Sequence, residues 1–446
     1  RGYLKEKNEE AYSNVFTTHY PDEERGGARP LKTAPCYDRM KALGAVFGYV
    51  YGWERPNWFM PSADYELTSE ELNQSDPSKV ILNKNHSKPL DDGRIVEKNS
   101  FRRSNYFEHV GNECKHVNEK VGLLDMSAFA KCVVKGSGAE AWLECIFANK
   151  MPKAIGRISL VHMLSLNGGV RAEFTVYKTG PQIYYLVSAG AFETHDHDYL
   201  FKLAPKDASV SIQRVTTQTG VLVLAGPRSR DVLQKLTDTD LSNEAFGFMR
   251  SQLISVAGVQ LRATRITYVG ELGWELYIPR DTSLQVWLSL IEAGKEFNLR
   301  PCGYRAIESL RLEKGYRAWA GEINSETNPY EAGLGFAVST KKEKFIGREA
   351  VLKAESGNKR KLTALTFSDI KDVPLGNEPI LFNGDVIGRV KSAGQGYTLN
   401  MAIAYAYLPL EHSQPGKEVS IEMFGQAKTA TVRTEPLFDP AGERIK

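Results

Sequence analysis

Acidic side chains set on strand faces beside aromatic ones are the first candidates for chemistry in this 446-residue chain. Glu173 follows an Asn167-Gly168-Gly169 turn signal. It lies in a run where Val170, Ala172, Phe174 and Val176 alternate with Arg171, Glu173, Thr175 and Tyr177. That alternation predicts a half-buried strand with Glu173 on its polar face. From the pattern alone, a solvated sheet carboxylate is the plainer reading. A second segment runs Arg265-Ile-Thr-Tyr268-Val-Gly270-Glu-Leu-Gly273-Trp-Glu275-Leu-Tyr-Ile. If Glu271 and Leu272 tip a hairpin, Tyr268 and Glu275 become cross-strand neighbours. A carboxylate beside a phenol can read a flat heterocycle by stacking and paired hydrogen bonds. The bland alternative is an exposed hairpin pair.

Other motifs carry less. Gly136-Ser-Gly138-Ala-Glu-Ala141 matches a dinucleotide fingerprint, but no acid appears about twenty positions on, where a ribose would need one. A tight turn into a helix explains it better, so no flavin or nicotinamide site is visible. His195-Asp196-His197-Asp198 looks like a metal cluster. Its two imidazoles diverge on a helix, however, and acids in a first helical turn favour the dipole. His109 and His116 can share a helix face, but nothing completes a triad. No G-x-S-x-G or Walker pattern is present.

Regular elements must position these groups. Apolar spacing predicts helices over 138–148, 229–236, 284–293 and 304–314, the last stopped by Gly315. Buried strands are predicted at 183–187 and 221–224. Strands and helices in no βαβ rhythm indicate an α+β fold. From about Lys341 onward, short strands spaced by Gly, Pro and Asn suggest a small β-barrel or sandwich. Residues 1–100 are polar and aromatic by turns and read as a linker lying on a neighbouring domain. The predicted division is therefore 1–100, 101–340 and 341–446. Lys and Arg number 57 against 54 Asp and Glu, a balance of +3 that argues against nucleic-acid or anionic-membrane binding. No apolar run approaches a membrane span. Five scattered cysteines without C-x-x-C argue against a disulfide or zinc framework and fit a reducing compartment. The start at Arg1, with no apolar core of a signal peptide, reads as the interior of a longer or processed polypeptide.

Taken together, Tyr268-Val-Gly-Glu-Leu-Gly-Trp-Glu275, Leu224-Ala-Gly226-Pro227-Arg-Ser-Arg230, Asn167-Gly-Gly and Leu310-Arg-Leu-Glu-Lys-Gly315 resemble the glycine-cleavage T-protein (aminomethyltransferase) family. Pro30-Leu-Lys-Thr-Ala-Pro, Trp53-Glu-Arg-Pro-Asn-Trp-Phe59 and Phe101-Arg-Arg-Ser-Asn-Tyr-Phe-Glu narrow the resemblance. They are similar to the C-terminal half of dimethylglycine dehydrogenase and sarcosine dehydrogenase-type flavoproteins. The resemblance covers nearly the whole chain. It implies a two-lobed α+β folate-binding region over 101–340 and a C-terminal β-barrel over 341–446. It further implies that residues 1–100 pack on a missing N-terminal flavin domain, the only place for FAD.

The implied chemistry is capture of a one-carbon iminium or formaldehyde equivalent by tetrahydrofolate, giving 5,10-methylenetetrahydrofolate. The flavin domain would act in cis or as a separate chain, with no nucleic-acid or membrane partner and no metal. By resemblance, Glu173 is the catalytic carboxylate near folate nitrogen 10, Glu275 binds the pterin edge, and Tyr268 packs beside it. Aminomethyltransferases usually carry Asp at the Glu173 position; Glu suits the dimethylglycine branch. Their Gly-Ala-Arg-Asp is replaced here by Tyr304-Arg-Ala-Ile307-Glu308, leaving Arg311 and Arg305 as the nearest substitutes for a cation on the folate tail. The stretch 62–100 is longer than the family's usual link. A stand-alone folate-dependent aminomethyl or methyl transferase, and a non-catalytic relative such as the pyruvate dehydrogenase phosphatase regulatory subunit, remain open alternatives. The implied compartment is bacterial cytoplasm or mitochondrial matrix.

Overall fold

The computed structural model describes residues 2–60, 97, 100, 101 and 104–446. The polar stretch 62–100 lies outside the described residues apart from Glu97 and Ser100, as do Arg102 and Arg103 of the Phe101 motif. The fold is α+β, as the mixed strand and helix patterns predict.

Strands β1 (Ala45–Val50) and β2 (Trp53–Phe59) form an antiparallel hairpin. Next come β3 (Gly122–Asp125), β4 (Ala130–Lys135), β5 (Ile158–Leu164), β6 (Val170–Gly180), β7 (Ile183–Ser188) and β8 (Ser211–Arg214). They are followed by β9 (Thr219–Ala225), β10 (Ser251–Val256), β11 (Val259–Thr264), β12 (Gly273–Pro279) and β13 (Arg300–Pro301). These build two sheets, a five-stranded one in the order β5-β6-β7-β4-β8 and a six-stranded one in the order β10-β11-β12-β9-β3-β13. A shared core joins the sheets. Ile158, Tyr177 and Val187 of one pack with Leu124, Val223 and Tyr277 of the other, under the helices Phe107–Glu119 and Tyr304–Glu313.

The C-terminal part closes on itself. Strands β14 (Arg360–Phe367), β15 (Pro379–Phe382), β16 (Asp385–Gly396), β17 (Met401–Pro409), β18 (Glu418–Met423) and β19 (Gln426–Arg433) form a barrel in the order β14-β17-β16-β15-β18-β19. Closure leaves no free sheet edge, and the Ala-rich β17 (Ala402, Ala404, Ala406) lets the small barrel fill without voids. No helix among the described residues is long and apolar enough to cross a membrane.

The Gly-Gly turn has a steric cause. Gly168 holds φ at +81°, and a Cβ on Gly169 would stand 1.9 Å from the Ser325 carbonyl oxygen. The close approach lets Val170 N–H donate to Thr327 O at 2.8 Å. That bond ties the start of β6 to the loop after the Tyr304–Glu313 helix.

The reading of residues 1–100 as a linker on an absent domain does not extend to 34–59. Successive residues Trp58 and Phe59 point to opposite faces of β2, and both are buried, each in a different core cluster of this chain. Aromatic side chains in a polar segment can pack at home as readily as on a neighbour, so composition alone misplaced them. The hairpin is tied down by Glu113, whose carboxyl accepts Phe59 N–H at 2.7 Å and Gly303 N–H at 2.8 Å. Burial pushes that carboxyl up to about 8, against the opposing pull of those two bonds.

Glu113→Ala orphans two buried donors and is expected to destabilise the protein by about 2–4 kcal/mol. Urea unfolding at pH 7 measures it; a loss below about 0.5 kcal/mol would show that the clamp contributes nothing.

Candidate functional site

The polar face of β6 is the floor of a cavity of about 230 Å³. Glu173, Thr175 and Tyr177 all line it, as the alternation in the sequence predicts. Glu275 of β12 enters from the other sheet, and Tyr268, Arg317 and Trp319 close the rim. Two acids about a hundred positions apart in the chain therefore line one cavity.

The side chain of Glu173 is 23% exposed, and its Oε2 lies 2.9 Å from Nε2 of the wholly buried His162. The two residues are register partners across β5 and β6. Glu275 is nearly buried, at 6% exposure. Its Oε2 accepts the Tyr277 hydroxyl at 2.6 Å, and Tyr277 in turn meets the Tyr177 hydroxyl at 2.9 Å. Burial pushes the Glu275 carboxyl up to about 7, while the phenols hold it down in part. A carboxyl with that value changes charge near neutrality.

Tyr268 reaches the cavity by a different route from the expected one. Strand β11 ends at Thr264, which is the register partner of Glu275. Residues 265–272 then leave the sheet as an irregular loop, so Tyr268 and Glu275 are not cross-strand neighbours. Arg265 is the last residue still paired, with its N–H on Arg250 O at 2.8 Å and its buried guanidinium donating to Phe246 O at 2.8 Å, and the chain departs after it. Thr267 Oγ1 closes the loop on Glu271 O at 2.7 Å. Tyr268 is then fixed by its hydroxyl on Arg317 O at 2.5 Å and by stacking on Tyr316 at 5.8 Å.

Neither expected arginine lines this cavity. Arg311 is buried and spans Glu308 at 2.9 Å, Glu322 at 2.5 Å and Tyr316 O at 3.2 Å. Glu322 also holds Ser392 of β16, so Arg311 acts as a strut between helix and barrel. Arg305 faces a second cavity of about 450 Å³. It grips Glu97 at 2.6 Å and Asp22 at 3.0 Å, over the Tyr106 ring. Both residues lie on the helix Tyr304–Glu313 beside the cavity, and neither is on its wall. The cation actually on the wall is Arg317, two residues past the helix-stopping Gly315, paired with Glu435 at 2.6 Å.

Arg317 and Trp319 were not singled out from sequence. Asp196, read there as an acid favouring a helix start, instead turns inward onto the wall, held by Ser188 Oγ at 2.8 Å and His195 Nδ1 at 3.0 Å, and burial raises its pKa. His197 instead takes Arg214 at 2.9 Å, so the two imidazoles of the tetrad go different ways. His109 stacks on Trp58, and His116 meets Asn298 O at 2.6 Å. Trp319 packs edge-on against Phe192 at 4.1 Å. Its buried Nε1–H finds no acceptor among the described residues. An orphaned donor, a carboxyl poised near neutrality and phenol walls suit a flat ligand carrying both N–H groups and acceptors.

Residues 36–342 match the GCVT N-terminal domain, and 360–439 match the glycine cleavage T-protein C-terminal barrel domain. Residues 1–34 match the FAD dependent oxidoreductase central domain. Mitochondrial dimethylglycine dehydrogenase of Mus musculus is 36% identical over 450 residues, covering 100% of this chain and 48% of that protein. This chain thus spans about half the length of that relative. Aminomethyltransferase of Thermoanaerobacter sp. (strain X514) is 32% identical over 332 residues, covering 74% of this chain and 89% of its own. The glycine cleavage system aminomethyltransferase T of Bartonella henselae superposes with a TM-score of 0.74 at 22% identity, over 92% of this chain and 99% of that one. Two sheets around one cavity, followed by a closed barrel, are accordingly the architecture of a known group, and the chain belongs to the glycine-cleavage T-protein family.

Proposed function

We propose that this chain is the tetrahydrofolate-handling part of an N-methyl amine dehydrogenase of the dimethylglycine or sarcosine type. It would capture the one-carbon unit released by amine oxidation as 5,10-methylenetetrahydrofolate. The observation that carries the reading is the single cavity lined by both Glu173 and Glu275 in a chain of this family. Similarity to dimethylglycine dehydrogenase along the whole chain, and the oxidoreductase match over residues 1–34, support a flavin domain as the source of the carbon. The name of that relative supports a mitochondrial setting.

The residues fit the task. An ionised Glu275 accepts two parallel N–H bonds from an amino-pyrimidine edge, and Tyr268 and Tyr177 wall the ring. Arg317, not Arg305 or Arg311, is the cation on this wall. Reduced folate supplies two nucleophilic nitrogens, 5 and 10, which both bond to the incoming carbon. Two N–H protons leave as those bonds form. One goes to the departing amine nitrogen, and Glu173 accepts the other and passes it to solvent. Before that transfer, the Glu173 carboxylate stabilises the cationic iminium beside it.

Folate affinity, measured by calorimetry, is expected to rise with pH through about 7 as Glu275 ionises. Glu275→Gln should weaken binding about 10- to 100-fold at pH 8, the worth of a charged hydrogen bond, and flatten the pH dependence. Equal affinity in variant and wild type would remove the pterin role. Glu173→Ala should bind folate within a fewfold of wild type, yet form methylenetetrahydrofolate from formaldehyde about 10-fold more slowly. The factor is small because the condensation also proceeds unaided. An unchanged rate would leave Glu173 without a part in the chemistry.

A further inference from the structure

The wholly buried imidazole of His162 is not used by any step above. Its Nε2 stands 2.9 Å from Glu173 Oε2, within normal hydrogen-bond range. Its Nδ1 is buried without a partner among the described residues. A proton placed there would have no acceptor. The network therefore assigns the Nε2–H tautomer, donating to a carboxylate that can only accept. The ring cannot swing elsewhere. Strand β5 is held on both sides, by its register with β6 and by Ala148 N–H on His162 O at 2.9 Å.

Resting on the one-carbon reading above, we propose that His162 is a positioning residue for Glu173. A glutamate has one more rotatable bond than an aspartate, so fixing its carboxylate in one direction costs more side-chain entropy. A carboxylate left to sample its rotamers spends little time where a reacting nitrogen needs it. The His162 bond fixes Oε2 and leaves Oε1 as the oxygen available to the cavity. It also sets the direction of the carboxylate from the neighbouring strand β5. Opposed pairs across two antiparallel strands are coupled in this way. The other charged groups on the cavity wall, Asp196, Glu275 and Arg317, have partners of their own in Ser188, Tyr277 and Glu435. Among the hydrogen bonds and ion pairs of the described residues, only His162 grips Glu173.

A double-mutant cycle on methylenetetrahydrofolate formation tests this, with His162→Leu, Glu173→Ala and the pair. Folate affinity is measured alongside. His162→Leu is expected to lower kcat about 10-fold, nearly as much as Glu173→Ala, with folate affinity within twofold of wild type. In the Glu173→Ala background the same change should cost nothing more. His162→Gln, which keeps an N–H donor of similar reach, should recover most of the rate. Equal losses in both backgrounds would mean a general packing role and overturn the proposal. If His162→Leu does not fold, the glutamine variant decides alone. A kcat near wild type in it supports the bond, and a loss as large as that of Glu173→Ala refutes it. Wild-type protein that fails to bind folate or to speed the condensation would sink the one-carbon reading itself. That result is distinct from an active enzyme indifferent to His162.

Discussion

A carboxyl group held almost dry between two β-sheets is the constraint around which the rest is arranged. Removing a carboxylate from water is costly, and a protein with no use for one there would place an apolar group instead. Glu275 meets that cost with the hydroxyl of Tyr277, itself braced by Tyr177 from the opposite sheet. The phenol pair bridges the lobes and the carboxyl sits at the bridge. The seam between the sheets therefore serves as both a core and a cavity wall. Leaving a carboxyl at about 7 rather than fully satisfied preserves capacity for an incoming donor.

Much of this organisation is legible in the chain. Strict alternation over 170–177 locates β6 and puts Glu173, Thr175 and Tyr177 on one face, and that face is the cavity floor. The helix stopped by Gly315 ends where spacing says it should, because glycine alone takes φ of +66° at no cost. The barrel strands 362–367, 402–407 and 418–422 lie within β14, β17 and β18.

What periodicity does not carry is long-range register and the local pull of single side chains. His162 becomes visible only when β5 is paired with β6, since nothing in the run 156–164 marks its partner. The Tyr268 loop is held by Thr267 on Glu271 O and by the Tyr268 hydroxyl on Arg317 O, forty-nine positions later in the sequence. The two arginines expected at the cavity lie on the correct helix. Which face each takes is decided by acids from elsewhere: Glu97 and Asp22 for one, Glu322 for the other. Partner choice of that kind is a property of the assembled molecule and has no signature in the spacing of one helix.

The strut from Arg311 through Glu322 to Ser392 ties barrel to rim. The other oxygen of Glu322 receives Ala318 N–H at 2.7 Å, between Arg317 and Trp319 on the cavity edge. Position 392, in a barrel strand, is thereby linked through one carboxylate to the mouth of the cavity. The barrel is thus joined by side chains to residues that line the space between the sheets, although none of its own strands lines that space.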